Sequence, residues 1–119
     1  MKRWKDLVHE AEQEIQLLQV NEVKGKMDQQ ADFLLIDVRE SEEYQKGRIP
    51  EAASIPRGVL EMTIERRVND KAKLIILHCA GGGRSAVAAQ SLKRMGYENV
   101  ASMEGGFGAW IQAGYPIET

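Results

Sequence analysis

Two four-residue runs, Phe33-Leu34-Leu35-Ile36 and Leu74-Ile75-Ile76-Leu77, are apolar at every position. A strand with one wet face alternates apolar and polar residues, so an unbroken apolar run describes a strand covered on both faces. Such strands belong to parallel sheets, whose neighbours are joined by helical crossovers lying on the two faces. Helical patterns do intervene between the apolar runs, and strands alternating with helices imply an α/β chain.

The remaining elements follow from spacing and caps. Trp4, Leu7, Val8, Ala11, Ile15 and Leu18 recur at helical intervals opposite Glu10, Glu12, Gln13 and Glu14, which predicts an amphipathic helix over residues 1–17 packed on its own domain. A contact with a second copy is the sharper alternative for that stripe. A shorter helix is expected from Val20 to Gln29. Ser41 can cap a short helix that Gly47 ends. A short strand is expected over Ala53 to Ile55, followed by Pro56 and a helical turn near Val59 and Leu60. Ser85 to Met95 reads as a helix stopped at Gly96, Val100 to Met103 as the last strand and Gly106 to Ala113 as the last helix.

The second apolar run ends in chemistry. It continues as His78-Cys79-Ala80-Gly81-Gly82-Gly83-Arg84-Ser85, and the helical pattern starts at once. Cys79 is the sole cysteine. Ligands of parallel α/β folds gather beyond the carboxyl ends of strands, where both Cys79 and Asp37 fall. Gly81, Gly82 and Gly83 tolerate positive φ, which lets successive N–H groups turn inward as an anion-binding nest. The following helix adds its first-turn N–H groups and the positive end of its dipole, and Arg84 adds a permanent cation. Helix starts and neighbouring cations favour a cysteine's nucleophilic thiolate form. A lone cysteine is commonly a small buried hydrophobe, but the order strand, Cys, three Gly, Arg, helix favours a reactive thiol. The same loop can hold an anionic sulfur species with no metal and no organic cofactor.

Cys79-Ala80-Gly81-Gly82-Gly83-Arg84-Ser85 resembles the Cys-x-x-Gly-x-Arg-Ser active-site loop of the single-domain rhodaneses, the thiosulfate sulfurtransferases. Leu35-Ile36-Asp37-Val38-Arg39-Glu40 is similar to the signature after that family's second strand. Glu43-Tyr44-Gln45-Lys46-Gly47-Arg48-Ile49-Pro50-Glu51-Ala52 with Ile55-Pro56 resembles its Glu-Tyr-x-x-Gly-His-Ile-Pro-Gly-Ala segment. Gly105-Gly106-Phe107-Gly108-Ala109-Trp110 and Gly114-Tyr115-Pro116 resemble its closing motif. The likeness runs from Leu18 to Glu118. Arg48 stands where the family has His, and Glu51 where it has Gly. The implied fold is a three-layer α/β/α domain over residues 18–119 with a central five-stranded parallel sheet, plus the extra N-terminal helix.

The resemblance also implies the reaction. The Cys79 thiolate attacks the outer sulfur of thiosulfate or a similar sulfane-sulfur donor, sulfite leaves, and cyanide, a low-molecular-weight thiol or a thiol protein then takes the sulfur from the persulfide. The amides of Ala80, Gly81, Gly82, Gly83, Arg84 and Ser85 cradle that persulfide. Arg84 is expected both to attract the anionic donor and to brace the loop, and Ser85 to support it. Arg57 reads either as a cation at the same mouth or as a solvated surface arginine. Asp37 and Arg39 are expected to brace the sheet edge through ion pairs. His78 should point to the opposite face from Cys79 as a packed histidine. His9 should be solvated, and Trp4 and Trp110 core aromatics.

Other readings of the loop remain. Rhodanese-like phosphatases and arsenate reductases have a Cys-to-Arg loop one residue longer, wide enough for an oxyanion. The shorter loop here, Cys79 to Arg84, suits sulfur. A sulfur carrier or redox sensor would use the same thiol without rapid turnover. The chain's 16 basic and 18 acidic residues are interspersed and give no footprint for nucleic acid. No apolar run approaches a membrane span. Two His and one Cys make no credible metal set. The basic start, Met1-Lys2-Arg3, leads into a charged amphipathic stretch and not an apolar leader, and a lone cysteine suits a reducing compartment, so a cytoplasmic protein is expected.

Overall fold

The computed structural model describes residues 1–119. In chain order the elements are α1 (Trp4–Glu12), β1 (Gln16–Leu18), α2 (Val20–Asp28), β2 (Leu34–Asp37), α3 (Ser41–Lys46), β3 (Ala53–Ser54), a 3₁₀ turn (Arg57–Val59), α4 (Leu60–Arg67), β4 (Ile75–His78), α5 (Gly83–Arg94), β5 (Val100–Met103) and α6 (Gly106–Gln112). The five strands form one parallel sheet in the order β1-β5-β4-β2-β3. The two unbroken apolar runs are its adjacent inner strands, with Leu34 opposite Ile75 and Asp37 opposite His78. Both are covered on each side, as their composition requires.

Alternate residues of those strands enter different cores. Ile36, Ile75 and Leu77 pack with Ile55, Leu60, Ile64, Ala88, Ala89 and Leu92, beneath α4 and α5. Leu35 and Ile76 face the other way, toward Val23, Ile49, Met103 and the fully buried Trp110 on the side of α2 and α6. This period-two division produces the three-layer α/β/α fold. No helix is long and apolar enough to cross a membrane.

Three local expectations are corrected. The N-terminal helix ends at Glu12, with Gln13 as its C-cap, although its apolar stripe continues at helical spacing to Leu18. Gln16–Leu18 instead pairs with Ala101–Met103 as the edge strand β1, while Ile15 tucks against the core beneath α5. Sheet pairing overrides local periodicity here, and residue 17 lies inside a strand. The turn near Leu60 is longer than expected, continuing as α4 to Arg67. Trp4 is not a core aromatic: 53% of it is exposed.

Candidate functional site

Cys79 follows directly on β4, the middle strand of the sheet, and is 1% exposed. Its sulfur accepts hydrogen bonds from the backbone N–H of Gly82 at 3.1 Å and of Ser85 at 3.4 Å. Gly82 has φ +107°, a conformation that side chains disfavour. It turns the chain so that its amide faces back to the sulfur. The amides of Ala80 and Gly81 find no acceptor within the protein, and those of Gly83 and Arg84, in the first turn of α5, have no intrahelical one. Six consecutive amides thus comprise two that bind Sγ and four that remain available to an anion.

Four neighbouring groups fix this loop. The Ser85 hydroxyl donates to the Gly82 carbonyl at 3.2 Å, lies 2.7 Å from the Ser102 hydroxyl on β5 and 3.6 Å from the Cys79 sulfur. From outside, the start of α6 clamps the loop: the N–H of Phe107 donates to the Cys79 carbonyl at 2.8 Å and that of Gly108 to the Ala80 carbonyl at 3.1 Å. With both carbonyls held toward α6, the N–H groups of Ala80 and Gly81, in the same trans peptide planes, point away from it. Gly106, with φ +57°, permits this approach; a Cβ there would fall 2.4 Å from the Cys79 carbonyl oxygen.

The charged residues are paired. Arg84 directs its guanidinium fork at Glu43, with N···O distances of 2.9 and 3.1 Å. Those hydrogen bonds hold the Glu43 carboxyl well below the ordinary range, at about 2, against a smaller opposing effect of burial. The geometry is that of a brace between α3 and the loop. Arg57 engages Glu61 at 2.9 Å, and the same carboxylate accepts the Ser91 hydroxyl at 2.6 Å. Ser91 lies on the third turn of α5, about 12 Å along the axis from Gly83, so this arginine is drawn along the helix.

Asp37 and Arg39 form a buried bidentate pair, with contacts of 2.9 to 3.1 Å. Arg39 also donates to the Gly47 carbonyl at 2.7 Å and lies over the Phe107 ring, 4.3 Å from its centroid. Sheet edge, α3 and α6 therefore meet on one guanidinium. His78 is fully buried, its Nδ1 3.3 Å from the Cys79 carbonyl and its Nε2, with no hydrogen-bond partner, 3.6 Å from Asp37. Its imidazole lies against the Phe107 ring. Burial pushes its pKa down from 6.5, against the attraction of Asp37. His9 is exposed.

Sequence reasoning did not single out Glu43 or Ser102. Glu43 lies 41 residues from Arg84, and nothing local links them. Ser102 carried a faint signal, a hydroxyl inside the otherwise apolar Val100–Met103 strand. The two departures from the family pattern lie away from the sulfur. Arg48 bridges to Glu118 through both backbone groups and pairs with its carboxylate at 3.7 Å. Glu51 adopts φ +71° on the rim of a cavity of about 400 Å³ beside Leu34, at the amino-terminal end of the strands and remote from Cys79.

Known proteins agree with this layout. A sulfurtransferase of Allochromatium vinosum is 33% identical over 86 residues, covering 72% of this chain and 78% of the relative. The chain spans about half the length of several other curated relatives it matches. A solved Rhodopseudomonas palustris structure, described as of unknown function and a possible tyrosine phosphatase, superposes with a TM-score of 0.91 at 35% identity, covering 99% of this chain and 96% of that one. The thiosulfate sulfurtransferase of Pseudomonas aeruginosa superposes with a TM-score of 0.85 at 32% identity over 94% of this chain but 22% of its own. The family model of the rhodanese-like domain matches residues 19–113, the span that holds the sheet, the Cys79 loop and its clamp, and this chain belongs to that family.

Proposed function

We propose that the protein is a sulfurtransferase that carries sulfane sulfur as a persulfide on Cys79. The observation that carries this reading is the run of six consecutive amides that follows Cys79, two bound to its sulfur and four without an internal acceptor. In the first half-reaction the Cys79 thiolate forms a bond to the outer sulfur of thiosulfate, and the old S–S bond breaks with its electron pair leaving on sulfite. The persulfide's terminal sulfur carries the negative charge. Ala80, Gly81, Gly83 and Arg84 supply preorganised N–H dipoles for that charge, Gly82 and Ser85 hold the inner sulfur, and no proton needs to move. In the second half-reaction cyanide, a small thiolate or a protein thiolate attacks the outer sulfur and the Cys79 thiolate departs.

Arg84 and Glu43 hold the loop's shape, Asp37 and Arg39 the sheet edge beside it. His78 is no base in this scheme: its Nδ1 lies by the Cys79 carbonyl and its Nε2 toward Asp37. A lone free thiol suits a reducing setting, and the cytoplasm is the compartment we infer on that ground. The short Cys79-to-Arg84 loop favours a single sulfur over a tetrahedral oxyanion, which sets a phosphatase second.

The test is an intact-protein mass spectrum after incubation with thiosulfate, before and after cyanide, with Cys79→Ser alongside. A gain of one sulfur, absent from the variant and erased by cyanide with thiocyanate released, is the expected result. No gain with thiosulfate or with organic sulfane donors, accompanied by turnover of an aryl phosphate, would replace the reading with phosphate hydrolysis. Stoichiometric loading without turnover would make the protein a carrier.

A further inference from the structure

The amino-terminal helix lies outside the residues matched by the family model, which begin at 19, yet it reaches the active loop. α1 packs along α5. A Cβ built on Gly83 would lie 3.2 Å from Cζ2 and 3.5 Å from Nε1 of Trp4, and 3.4 Å from Cγ2 of Val8. Gly83 is the neighbour of Gly82, whose N–H holds the sulfur. The indole therefore touches the loop one residue away from the nucleophile's own hydrogen-bond donor, while 53% of Trp4 stays open. Arg84 and Arg57, the two cations nominated to draw anionic donors, are occupied by Glu43 and Glu61. From neither does an inorganic dianion meet an unpaired guanidinium, whereas an aromatic or apolar body would find a half-exposed tryptophan beside the loop.

We propose that Trp4 is a specificity-determining residue for the Cys79 reaction, selecting donors whose sulfane sulfur is borne on an aromatic or apolar organic group. Aryl thiosulfonates, ArSO₂–S⁻, are the simplest of this class. The step balances without a further reagent. Cys79–S⁻ bonds to the terminal sulfur, the sulfonyl–sulfur bond breaks, and its electron pair leaves on the sulfinate ArSO₂⁻, giving Cys79–S–S⁻. The proposal rests on the persulfide reading above. The donor's ring stacks on the indole as its terminal sulfur enters the loop, a geometry that favours binding more than the chemical step.

The experiment compares kcat/KM for benzenethiosulfonate and for thiosulfate, with cyanide as acceptor, in the wild type, Trp4→Ala, Trp4→Phe and Leu7→Ala. Leu7 is a part-exposed apolar residue of the same helix, so its variant reports on the loss of apolar surface from α1 without removal of the indole. The ratio of the two values should fall about tenfold in Trp4→Ala, mainly through a higher KM for the aryl donor, and be largely restored in Trp4→Phe. An unchanged ratio in Trp4→Ala overturns the proposal and leaves the sulfurtransferase reading standing. An equal fall in Leu7→Ala also overturns it, because apolar surface on α1 and not the indole would then set the preference. Absence of a wild-type persulfide from either donor overturns both.

Discussion

Arg84 and Glu43 sit 41 residues apart in the chain and meet in a two-pronged ion pair, each guanidinium nitrogen within about 3 Å of its own carboxylate oxygen. The pair fastens the first turn of α5 to α3, and it makes stability depend on pH. The folded state holds Glu43 at about 2 where the unfolded chain has 4.5, so the unfolded state binds more protons between those values. The contribution is complete above about pH 4.5 and is lost as pH falls toward 2. The nominal shift corresponds to about 3 kcal/mol, and solvent screening of these part-exposed groups reduces that to about 1 kcal/mol. Glu43→Gln should lower the urea unfolding free energy by about that amount at pH 7. The gap to wild type should close as pH drops from 4.5 to 2; a constant gap would remove the ion pair as its source.

His78 produces a second, separate acid effect. Its folded pKa is depressed below 6.5, so on lowering the pH the unfolded chain takes up a proton first. Stability should fall below about pH 6.5, with a slope approaching ~1.4 kcal/mol per pH unit. Equilibrium denaturation from pH 7.5 to 5 should therefore be steeper in the wild type than in His78→Gln, provided the variant folds. Parallel curves would show that the imidazole does not titrate differently in the two states.

Gly106→Ala tests the clamp on the active loop. The added methyl would lie 2.4 Å from the Cys79 carbonyl oxygen and 2.7 Å from that of Ala80, both backbone atoms, at a left-handed φ. The expected loss is about 3 kcal/mol or more. At temperatures where the variant remains folded, sulfur-transfer kcat/KM should fall at least about tenfold, because displaced carbonyls carry the Ala80 and Gly81 amides with them. A variant as stable and active as the wild type would mean that α6 can retreat without consequence.

Glu51 offers a change in the opposite direction. It is exposed, left-handed and makes no side-chain hydrogen bond or ion pair. Glu51→Gly should relieve strain of about 1 kcal/mol, partly offset by a more flexible unfolded chain. A rise in Tm of about 3 °C with unaltered sulfur transfer is expected. A fall would assign the carboxylate a role that its surroundings do not reveal.

What the sequence made legible were features written in adjacent residues. The two apolar runs specified the inner strands, and the Cys79-to-Ser85 segment specified a strand, an amide-rich turn and a helix. Interactions between distant segments were not legible. Ile15 and Leu18 continue the spacing of α1, and only their proximity to β5 reveals that the chain has already turned into a strand. Arg84 announced a cation at the loop but not the carboxylate that occupies it. Trp4 had the composition of a core residue, yet the packing of α1 along α5 leaves it half outside, against Gly83.

The hold of Phe107 and Gly108 on the Cys79 and Ala80 carbonyls also sets an order of events during synthesis. Cysteine, glycines and arginine leave the ribosome well before the segment that orients their peptide planes. Until residues 106–108 dock, the thiol belongs to an unfinished turn whose first two peptide planes are unfixed. The setting of the nucleophile is therefore completed only after the sheet and helices that enclose it have been made.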